Sequence, residues 1–271
     1  MREPHRAWLR FYAGLNDFLK PAQRGRRIAH EFFVPPAVKD AIEACGVPHA
    51  EVGLILVNGV SAAFRDRLPP GAEISVYPVF AALDVGALQR VRPAPLREVR
   101  FAVDANLGRL AQLLRLAGFD TLYRNDFDDA GLADLAAATQ RILLTRDIGL
   151  LKRRQVSHGW FVRATKPEAQ LVSVLRRFNL ERQLQPFTRC LRCNGELGPA
   201  TAAEVAERVP LRVRESTTLF SRCHGCGRVY WPGTHYRRMQ QFVQALQAEL
   251  AAGGDDGAAR PAPDIPQGCA P

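Results

Sequence analysis

The 271-residue sequence lacks the long apolar runs of a membrane protein. Its uninterrupted apolar stretches are short, as at 54–57 and 79–83, whereas a bilayer span needs about 20 apolar residues. The N-terminal stretch MREPHRAWLRFYAG has neither the apolar core nor the cleavage site of a secretory signal. We therefore expect a cytoplasmic chain with no membrane partner.

A disordered chain is excluded as well, because 47% of the residues are apolar. At roughly 100–200 residues per domain, the length predicts about two domains, or two with a small appendage. Nothing in the sequence indicates the oxidising compartment that a disulfide framework requires. The six cysteines therefore need another explanation.

Four of the cysteines form two C-x-x-C pairs separated by 29 residues. Two thiolate pairs on short turns supply the four soft ligands that tetrahedral zinc prefers. Asn194-Gly195 and Gly227 tolerate positive φ and suit the turn that follows each pair. We predict one structural zinc ion per chain, held by Cys190, Cys193, Cys223 and Cys226. The alternative is a redox dithiol in one pair and an accidental second pair.

Residues 7–80 predict a small α+β unit with the order β-β-α-β-β. A helix is indicated by the apolar spacing of Val38, Ile42 and Cys45, and Asn58-Gly59 predicts a two-residue hairpin. The strands WLRFYAGL and GAEISVYPVF open and close the unit. This pattern is typical of a grasp-type sheet that wraps one helix.

The stretches RFYAGL, VKDAIEACGVPHAEV, VNGV and PGAEISVYPVF resemble the ubiquitin-like sulfur-carrier proteins of thiamine and molybdopterin biosynthesis. Those carriers end in a free Gly-Gly whose carboxylate is activated. Here the closing strand continues as FAALDVGALQRV, and Gly253-Gly254 lies far away in the sequence. We therefore interpret 7–80 as a ubiquitin-like β-grasp module that docks a protein partner, and sulfur transfer is the alternative.

The rest of the chain predicts four further segments. Residues 81–97, with closely spaced prolines, are interpreted as a linker. In 98–185, short strands alternate with amphipathic helices, which predicts a central three-layer α/β domain with a parallel sheet. Residues 186–250 contain the zinc module and a closing helix, and 251–271 have the composition of a disordered tail.

Two carboxylates follow predicted strands of the α/β segment. Asp104 comes directly after FAV and Asp147 after ILLTR, and ligands of parallel sheets bind beyond such strand ends. A third carboxylate is available from Asp126, Asp128 or Asp129 at the start of the second helix. Hard oxygen ligands of this kind favour Mg²⁺ or Mn²⁺, which activates water against a phosphodiester. The alternative is that these aspartates only cap helices.

Basic charge is concentrated next to these aspartates. Residues 141–192 contain twelve Lys or Arg against three Asp or Glu. A cationic surface beside an acidic site suits a polyanion that is held by its phosphates. A solvated basic surface without a ligand is the alternative.

The stretches VDANLGRLAQLLR, LLTRD, CLRCNGEL and CHGCGRVYWPGTHYRRM, in this order over 99–245, resemble the Mut-seven C-terminal RNase domain family. The resemblance implies a PIN-like nuclease fold with a C-terminal zinc ribbon, and a ubiquitin-like module is a known companion of it. It also implies a metal-dependent ribonuclease, a hydrolase of RNA, whose acidic site maps onto Asp104, Asp129 and Asp147. Asp129 is chosen because DDAGLADLA aligns with the acidic residue that opens this helix in the family, and Asp126 and Asp128 stay open as replacements.

Other residues are assigned supporting roles under this hypothesis. Asn106 and Thr145 are expected to assist the carboxylates. The RNA backbone is expected to contact Arg109, Arg146, Lys152, Arg153 and Arg154. PIN nucleases often carry a fourth acidic residue after the last aspartate, where this sequence has IGLL with Gly149. A catalytically inactive RNA-binding or adaptor protein with a PIN-like fold is therefore the second hypothesis.

Overall fold

A computed structural model describes residues 3–79, 90–91, 96 and 98–252 of the chain. Two compact units are present, one comprising Met1–Glu98 with Asp128–Phe161 and the other Val99–Phe127 with Val162–Pro271. Most of the predicted linker at 81–97 and the predicted tail beyond residue 252 lie outside the described residues. None of the helices in the described ranges is long and apolar enough to cross a membrane.

The N-terminal part of the first unit contains five strands and one α-helix. They are β1 (His5–Phe11), β2 (Ile28–Phe32), α1 (Val38–Ala44), β3 (Val52–Val57), β4 (Val60–Ser61) and β5 (Glu73–Pro78).

The remaining elements alternate between strands and helices and end in a long helix. They are β6 (Phe101–Val103), α2 (Gly108–Leu116), β7 (Thr121–Leu122), α3 (Asp129–Ala138), β8 (Ile142–Thr145), α4 (Ile148–Leu151), β9 (Gly159–Phe161), α5 (Pro167–Arg177), β10 (Leu197–Ala200), α6 (Leu211–Ser216), β11 (Phe220–Cys223), β12 (Val229–Tyr230) and α7 (Thr234–Ala252).

The N-terminal strands form one mixed sheet in the order β2-β1-β5-β3-β4. Strands β1 and β5 are parallel, and the other neighbours are antiparallel. Because side chains alternate along a strand, Ala7, Leu9 and Phe11 point to one face and are buried in a core shared with Val38 and Ile42 of α1. The predicted α+β character with one helix is confirmed, and the sheet has five strands where the predicted order β-β-α-β-β has four, because the short β4 follows the hairpin turn.

The hairpin between β3 and β4 has the predicted turn. Asn58 and Gly59 have φ values of 49° and 81°, and two consecutive positive values match the right-handed twist of the flanking strands. Asn58 is one of the few residues besides glycine that adopts this region readily. The local sequence therefore determines the register of the hairpin.

The first unit also contains α3, β8, α4 and β9, and β9 contacts the short helical turn His49–Glu51 of the N-terminal part. Strands β8 and β9 are parallel, with Leu143 paired to Gly159. The carboxylate of Glu51 accepts a hydrogen bond of 2.6 Å from the backbone N–H of Phe161. The ring of Phe161 also meets that of Phe18 edge-on, with centroids 5.6 Å apart. Strand β9 is thus packed directly against the N-terminal part of this unit.

The second unit contains a further parallel pair, β6 with β7, and an antiparallel sheet in the order β10-β11-β12. Helix α2 buries Leu110 and Leu114 completely. The helix is followed by Gly118 with a φ of 101°, as expected for a glycine that ends a helix. A small separate core of Val205, Val209 and Phe220 stabilises the antiparallel sheet.

The observed elements agree with the predicted class of the central segment. Each unit contains parallel strands and helices from residues 98–185, so the α/β character is confirmed. The three-layer PIN-like arrangement, the zinc ribbon and the exact domain boundaries stay predictions.

Candidate functional site

The four predicted cysteines lie together in the second unit. Their Sγ atoms all lie within 4.8 Å of one another. The Sγ atoms of Cys190 and Cys226 are 3.6 Å apart, and those of Cys193 and Cys223 are 3.4 Å apart. Within the described residues, this is the only group of three or more His, Cys, Asp or Glu side chains that is close enough to hold a metal ion.

Two tight turns build the cluster, one for each pair of cysteines. The N–H of Asn194 donates to the carbonyl of Cys190 at 2.9 Å, and the N–H of Gly227 donates to that of Cys223 at 3.0 Å. Asn194 and Gly227 have nearly equal φ values of 70° and 69°. The prediction that residues tolerant of positive φ would follow each pair is therefore confirmed.

The cluster fits a metal that prefers soft ligands. Sulfur atoms bound at about 2.3 Å in a tetrahedron lie about 3.8 Å apart, close to the separations of 3.6 and 3.4 Å measured here. Tyr230 contributes a further contact, with its hydroxyl 3.1 Å from the sulfur of Cys190. Burial raises the pKa of the Cys190 thiol, but the Tyr230 hydroxyl and nearby backbone N–H groups lower it to about 6. This favours the thiolate, which is the form that binds metals.

Asn194 attaches the first turn to the rest of the unit. Its Oδ1 accepts a hydrogen bond of 2.9 Å from the N–H of Thr121, and its Nδ2 donates to Oδ1 of Asp120 at 2.6 Å. Asn194 therefore has two roles: its backbone adopts the positive φ that the turn requires, and its side chain binds β7.

Arg115 makes the second attachment. It is only 4% exposed, and its guanidinium donates to the carbonyls of Leu191 and Arg192 at 3.1 and 3.0 Å. The same side chain donates to the carbonyl of Thr121 at 3.0 Å. Helix α2, strand β7 and the first cysteine turn are thus held together by one buried arginine.

The predicted carboxylate of Asp104 also lies in the second unit, directly after β6. It is 7% exposed and accepts a hydrogen bond from the N–H of Asn106 at 3.4 Å. Asp104 therefore caps the short helical turn Ala105–Leu107. The predicted helper Asn106 is exposed and takes part in this cap through its backbone.

Asp147 lies in the first unit, directly after β8, and caps α4. Its Oδ1 accepts hydrogen bonds from Gly149 N at 2.6 Å and Leu150 N at 3.3 Å. The predicted helper Thr145 is completely buried, and its hydroxyl accepts from the N–H of Asp147 at 2.9 Å. Thr145 therefore fixes the backbone from which the carboxylate of Asp147 projects.

The three candidates for the remaining carboxylate have different surroundings. Asp128 caps α3 by accepting from the N–H of Gly131 at 2.8 Å, and Asp129 is the exposed first residue of that helix. Asp126 forms two hydrogen bonds with Arg124, at 2.8 and 2.6 Å, which lower the pKa of its carboxyl. Of the three, Asp129 alone has no hydrogen bond or ion pair to its carboxylate within the described residues.

The predicted RNA-contacting residues are distributed over both units. Arg146 and Arg154 are exposed, and Arg153 is half-buried. Lys152 is half-buried, and its ammonium donates to the carbonyl of Glu43 at 2.8 Å. Arg109 donates to Oε1 of Gln112 at 3.1 Å. All five assignments stay predictions.

The comparisons with known proteins identify the family. The model of the Mut7-C RNAse domain matches residues 99–243, more than half of the chain, and the model of the Mut7-C ubiquitin domain matches residues 5–84. The chain belongs to the Mut7-C RNAse domain family. No curated protein and no solved structure matches it.

This membership confirms the predicted family and its ubiquitin-like companion. The Mut7-C RNAse domain match includes both pairs of cysteines and the three predicted catalytic aspartates. A nuclease is therefore the activity that the family indicates. The Mut7-C ubiquitin domain match includes all five strands of the N-terminal sheet.

The sequence does not predict the two side chains that attach the cysteine cluster to α2 and β7, Arg115 and Asn194. Arg115 is a basic residue in the last turn of an amphipathic helix, where an exposed position is the ordinary expectation. Asn194 was assigned only to the turn. Its position beside Asp120 depends on contacts between residues 74 apart in the chain, and no local pattern encodes these.

Proposed function

We propose that the protein is a metal-dependent ribonuclease that hydrolyses phosphodiester bonds of RNA. The observation that carries this proposal is the match of residues 99–243 to the Mut7-C RNAse domain. Asp104, Asp129 and Asp147 are the proposed ligands of Mg²⁺ or Mn²⁺, since carboxylate oxygens are the donors that these ions prefer. In the described residues these carboxylates do not form a group of three that is close enough to hold a metal ion, so the proposed site requires that ion binding bring them together. When bound, such an ion supplies Lewis acidity for the attack of water on phosphorus.

The protein groups around Asp147 support its proposed role. Both cap bonds of the carboxylate go to Oδ1, so Oδ2 has no backbone partner in the helix. Thr145 holds the N–H of Asp147, which keeps the carboxylate at the end of β8. A metal ligand held in this way loses little conformational entropy when it binds, because its rotamer is already restricted.

Asp104 has the complementary property of being buried. It is only 7% exposed and lies directly after β6, at the kind of strand end where ligands of parallel sheets bind. Arg109, Arg146, Lys152, Arg153 and Arg154 would bind phosphates of the substrate, with Arg146 and Arg154 exposed for that contact.

We further propose that the four cysteines bind one structural zinc ion per chain, in a zinc ribbon. The Sγ separations and the two matching turns support zinc as the occupant. Arg115 and Asn194 would then hold this zinc site against α2 and β7. Metal analysis of the purified protein should give about one zinc per chain, which is lost in Cys190→Ser.

The test of the nuclease is cleavage of a single-stranded RNA by the full chain with Mg²⁺ or Mn²⁺. Asp147→Asn should lower the cleavage rate by at least about 100-fold, because one metal ligand loses its charge. Asp134→Asn is the matched control, since Asp134 is an exposed carboxylate of α3 outside the proposed site. Equal rates for wild type and Asp147→Asn would refute the assignment of the site.

An inactive RNA-binding or adaptor protein is the second candidate. The capping bonds of Asp104 and Asp147 favour it, because each gives the carboxylate a role without a metal. RNA binding without cleavage, across a panel of divalent ions, would select this candidate. In that case Asp147→Asn would lower the stability of the protein and leave RNA affinity unchanged.

A further inference from the structure

One face of the N-terminal sheet carries three aromatic side chains. Alternate residues of β1 and β5 point away from the core, and these include Trp8 and Tyr77. Tyr12 follows β1 directly, next to Tyr77. All three rings are half-buried, in contrast to Leu9 and Val76, which point inward and are buried.

The aromatic rings are stacked on each other and on arginines. Tyr12 and Tyr77 have centroids 4.4 Å apart and planes inclined by only 9°. The guanidinium of Arg10 lies 5.4 Å from the centroid of Tyr12. That of Arg27 lies 5.1 Å from the centroid of Trp8. We call Trp8, Arg10, Tyr12 and Tyr77 the aromatic face.

The side chains around the aromatic face are charged. Arg6 forms an ion pair with Glu31, and Arg27 forms one with Glu73. Glutamate, which flanks this face as Glu31 and Glu73, is depleted at the core of protein–protein interfaces, although arginine is not. Aromatic rings interleaved with arginines are instead typical of surfaces that bind single-stranded nucleic acid, because bases stack on rings and phosphates pair with cations.

The arginines can exchange their present partners for phosphates at low cost. The side chains of the Arg6–Glu31 and Arg27–Glu73 pairs are all more than half exposed, and exposed ion pairs contribute little to stability. Arg10 forms no ion pair within the described residues. It therefore offers a guanidinium without a competing carboxylate, in a chain whose net charge is +10.

We propose that the aromatic face binds single-stranded RNA. Bases stack on Trp8 and on the Tyr12–Tyr77 pair, while Arg10 contacts the backbone phosphates. The proposal rests on the proposed function in that RNA is the substrate. It assigns the ubiquitin-like module to substrate binding, in a region outside the predicted catalytic residues. Single strands are favoured over duplexes because paired bases do not expose their planes.

Equilibrium binding tests the stacking. The full chain, without added Mg²⁺ or Mn²⁺, is titrated into a fluorescein-labelled single-stranded oligoribonucleotide of about ten nucleotides. Trp8→Ala should weaken binding by about 5- to 150-fold, the range expected for one lost base stack. Trp8→Phe should recover part of this loss. Phe33→Ala should leave the affinity unchanged, since Phe33 is an aromatic residue of the same module that is 69% exposed outside the aromatic face.

The salt dependence of the same titration tests the phosphate contact. Arg10→Ala should reduce the slope of log affinity against log salt concentration by about 0.7, the value for one phosphate of a single strand. Arg65→Ala removes an exposed arginine elsewhere in the module and should leave the slope unchanged.

The outcomes separate this proposal from the nuclease assignment. Unchanged RNA affinity in both Trp8→Ala and Arg10→Ala would overturn the proposal, and so would equal affinity for duplex and single-stranded RNA. If the aromatic face binds a protein partner instead, RNA affinity would be unchanged in both variants. Loss of binding in Trp8→Ala, together with no cleavage by wild type under any divalent ion, would support the aromatic face and refute the nuclease.

Discussion

The carboxylate of Glu51 accepts a hydrogen bond from the backbone N–H of Phe161, 110 residues further along the chain. Glu51 is only 3% exposed. Glu51 belongs to the matched Mut7-C ubiquitin domain and Phe161 to the matched Mut7-C RNAse domain. The N–H of a strand is therefore satisfied by a side chain of the ubiquitin-like module. Together with the bond from Lys152 to Glu43, this contact makes the module part of the folded unit that contains Asp129 and Asp147.

Replacing Glu51 should therefore destabilise the whole first unit. Glu51→Ala leaves the N–H of Phe161 without its acceptor and should lower the free energy of unfolding by about 1–3 kcal/mol. Glu51→Gln keeps an acceptor without the charge and should cost less. Urea unfolding of the full chain measures both values. Glu207→Ala removes an exposed glutamate and is the control, and a Glu51→Ala protein as stable as this control would show that the bond contributes nothing.

Arg115 should be the main attachment of the first cysteine turn. Arg115→Met removes a buried cation and leaves the carbonyls of Thr121, Leu191 and Arg192 without their donor. We expect a loss of about 2–4 kcal/mol in unfolding free energy, because one buried and two partly buried carbonyls lose a charged partner. Chemical denaturation measures the loss, and Arg182→Met at an exposed position is the control.

The same variant distinguishes attachment of the cysteine cluster from its assembly. The four sulfur atoms belong to the two cysteine turns. Arg115 donates to backbone carbonyls of the first turn and forms no hydrogen bond to a sulfur atom. The metal content of Arg115→Met should therefore equal that of wild type. Loss of metal would show that Arg115 is needed to form the cluster as well as to hold it in place.

Cys45 should react slowly with alkylating reagents. Burial raises the pKa of its thiol to about 11, although the charge of Lys152 opposes the shift. At pH 8 about 0.1% of a thiol with this pKa is thiolate, and thiolate is the reactive form. In a Cys269→Ser background, iodoacetamide and mass spectrometry should find Cys45 unmodified in the folded protein and modified in urea.

The four clustered cysteines provide the comparison in the same experiment. They should be protected before treatment with a chelator and modified after it, because a bound metal shields thiolates. Cys45 should stay unmodified under both conditions. Rapid modification of Cys45 before denaturation would show that its partial burial at the end of α1 does not suppress the thiolate.

The pair of Glu43 and His49 should make the free energy of unfolding fall as the pH is lowered into the acidic range. Nδ1 of His49 lies 2.7 Å from Oε1 of Glu43. Burial raises the pKa of Glu43, but the hydrogen bond and charge of His49, with Lys39, lower it below the ordinary 4.5. A carboxyl with a lowered pKa contributes stability above its unfolded pKa and loses it as the pH falls through the folded value.

We therefore expect wild type to lose stability below pH 4.5 more steeply than Glu43→Gln does. The measurement is the urea midpoint of both proteins across this pH range. Glu207→Gln should retain the wild-type dependence, because Glu207 is exposed. Parallel curves for wild type and Glu43→Gln would show that the pair does not contribute.

The features that could be predicted from the sequence depend on short stretches of chain. Asn58-Gly59 specifies its turn because both residues tolerate positive φ, and the turns at Asn194 and Gly227 follow the same rule. The contacts of Glu51 and Arg115 could not be predicted, since each joins segments that are more than 70 residues apart. The amphipathic pattern of α2 places Arg115 on a helix without showing that carbonyls surround it.

The same distinction between local and long-range features applies to the candidate site. The cysteine pairs could be predicted because each pair has a fixed spacing and its own turn residues. The aspartates at strand ends could be found, but a helix cap and a metal ligand occupy the same kind of position. The sequence therefore could not separate the two roles, and the cap bonds of Asp104 and Asp147 leave the metal site a prediction.

Gly118, which follows α2, should tolerate substitution less well than Gly59, the turn glycine between β3 and β4. Its φ of 101° is strained for other residues, and an added Cβ would overlap the carbonyl oxygen of Gln185. Gly59 has a similar positive φ of 81° but no atom within 4 Å of such a Cβ. The two glycines thus separate the conformational penalty from the steric one.

Gly59→Ala should lower the unfolding free energy by about 1–2 kcal/mol, the cost of a left-handed conformation for a residue with a Cβ. Gly118→Ala should cost more, by about 1–3 kcal/mol, because the backbone of residue 185 must also move. Thermal or urea unfolding of both variants measures the difference. Equal losses would mean that the chain at Gln185 moves away freely, and the hydrogen bond from Gln185 N to the carbonyl of Ala117, 2.9 Å long, argues against such freedom.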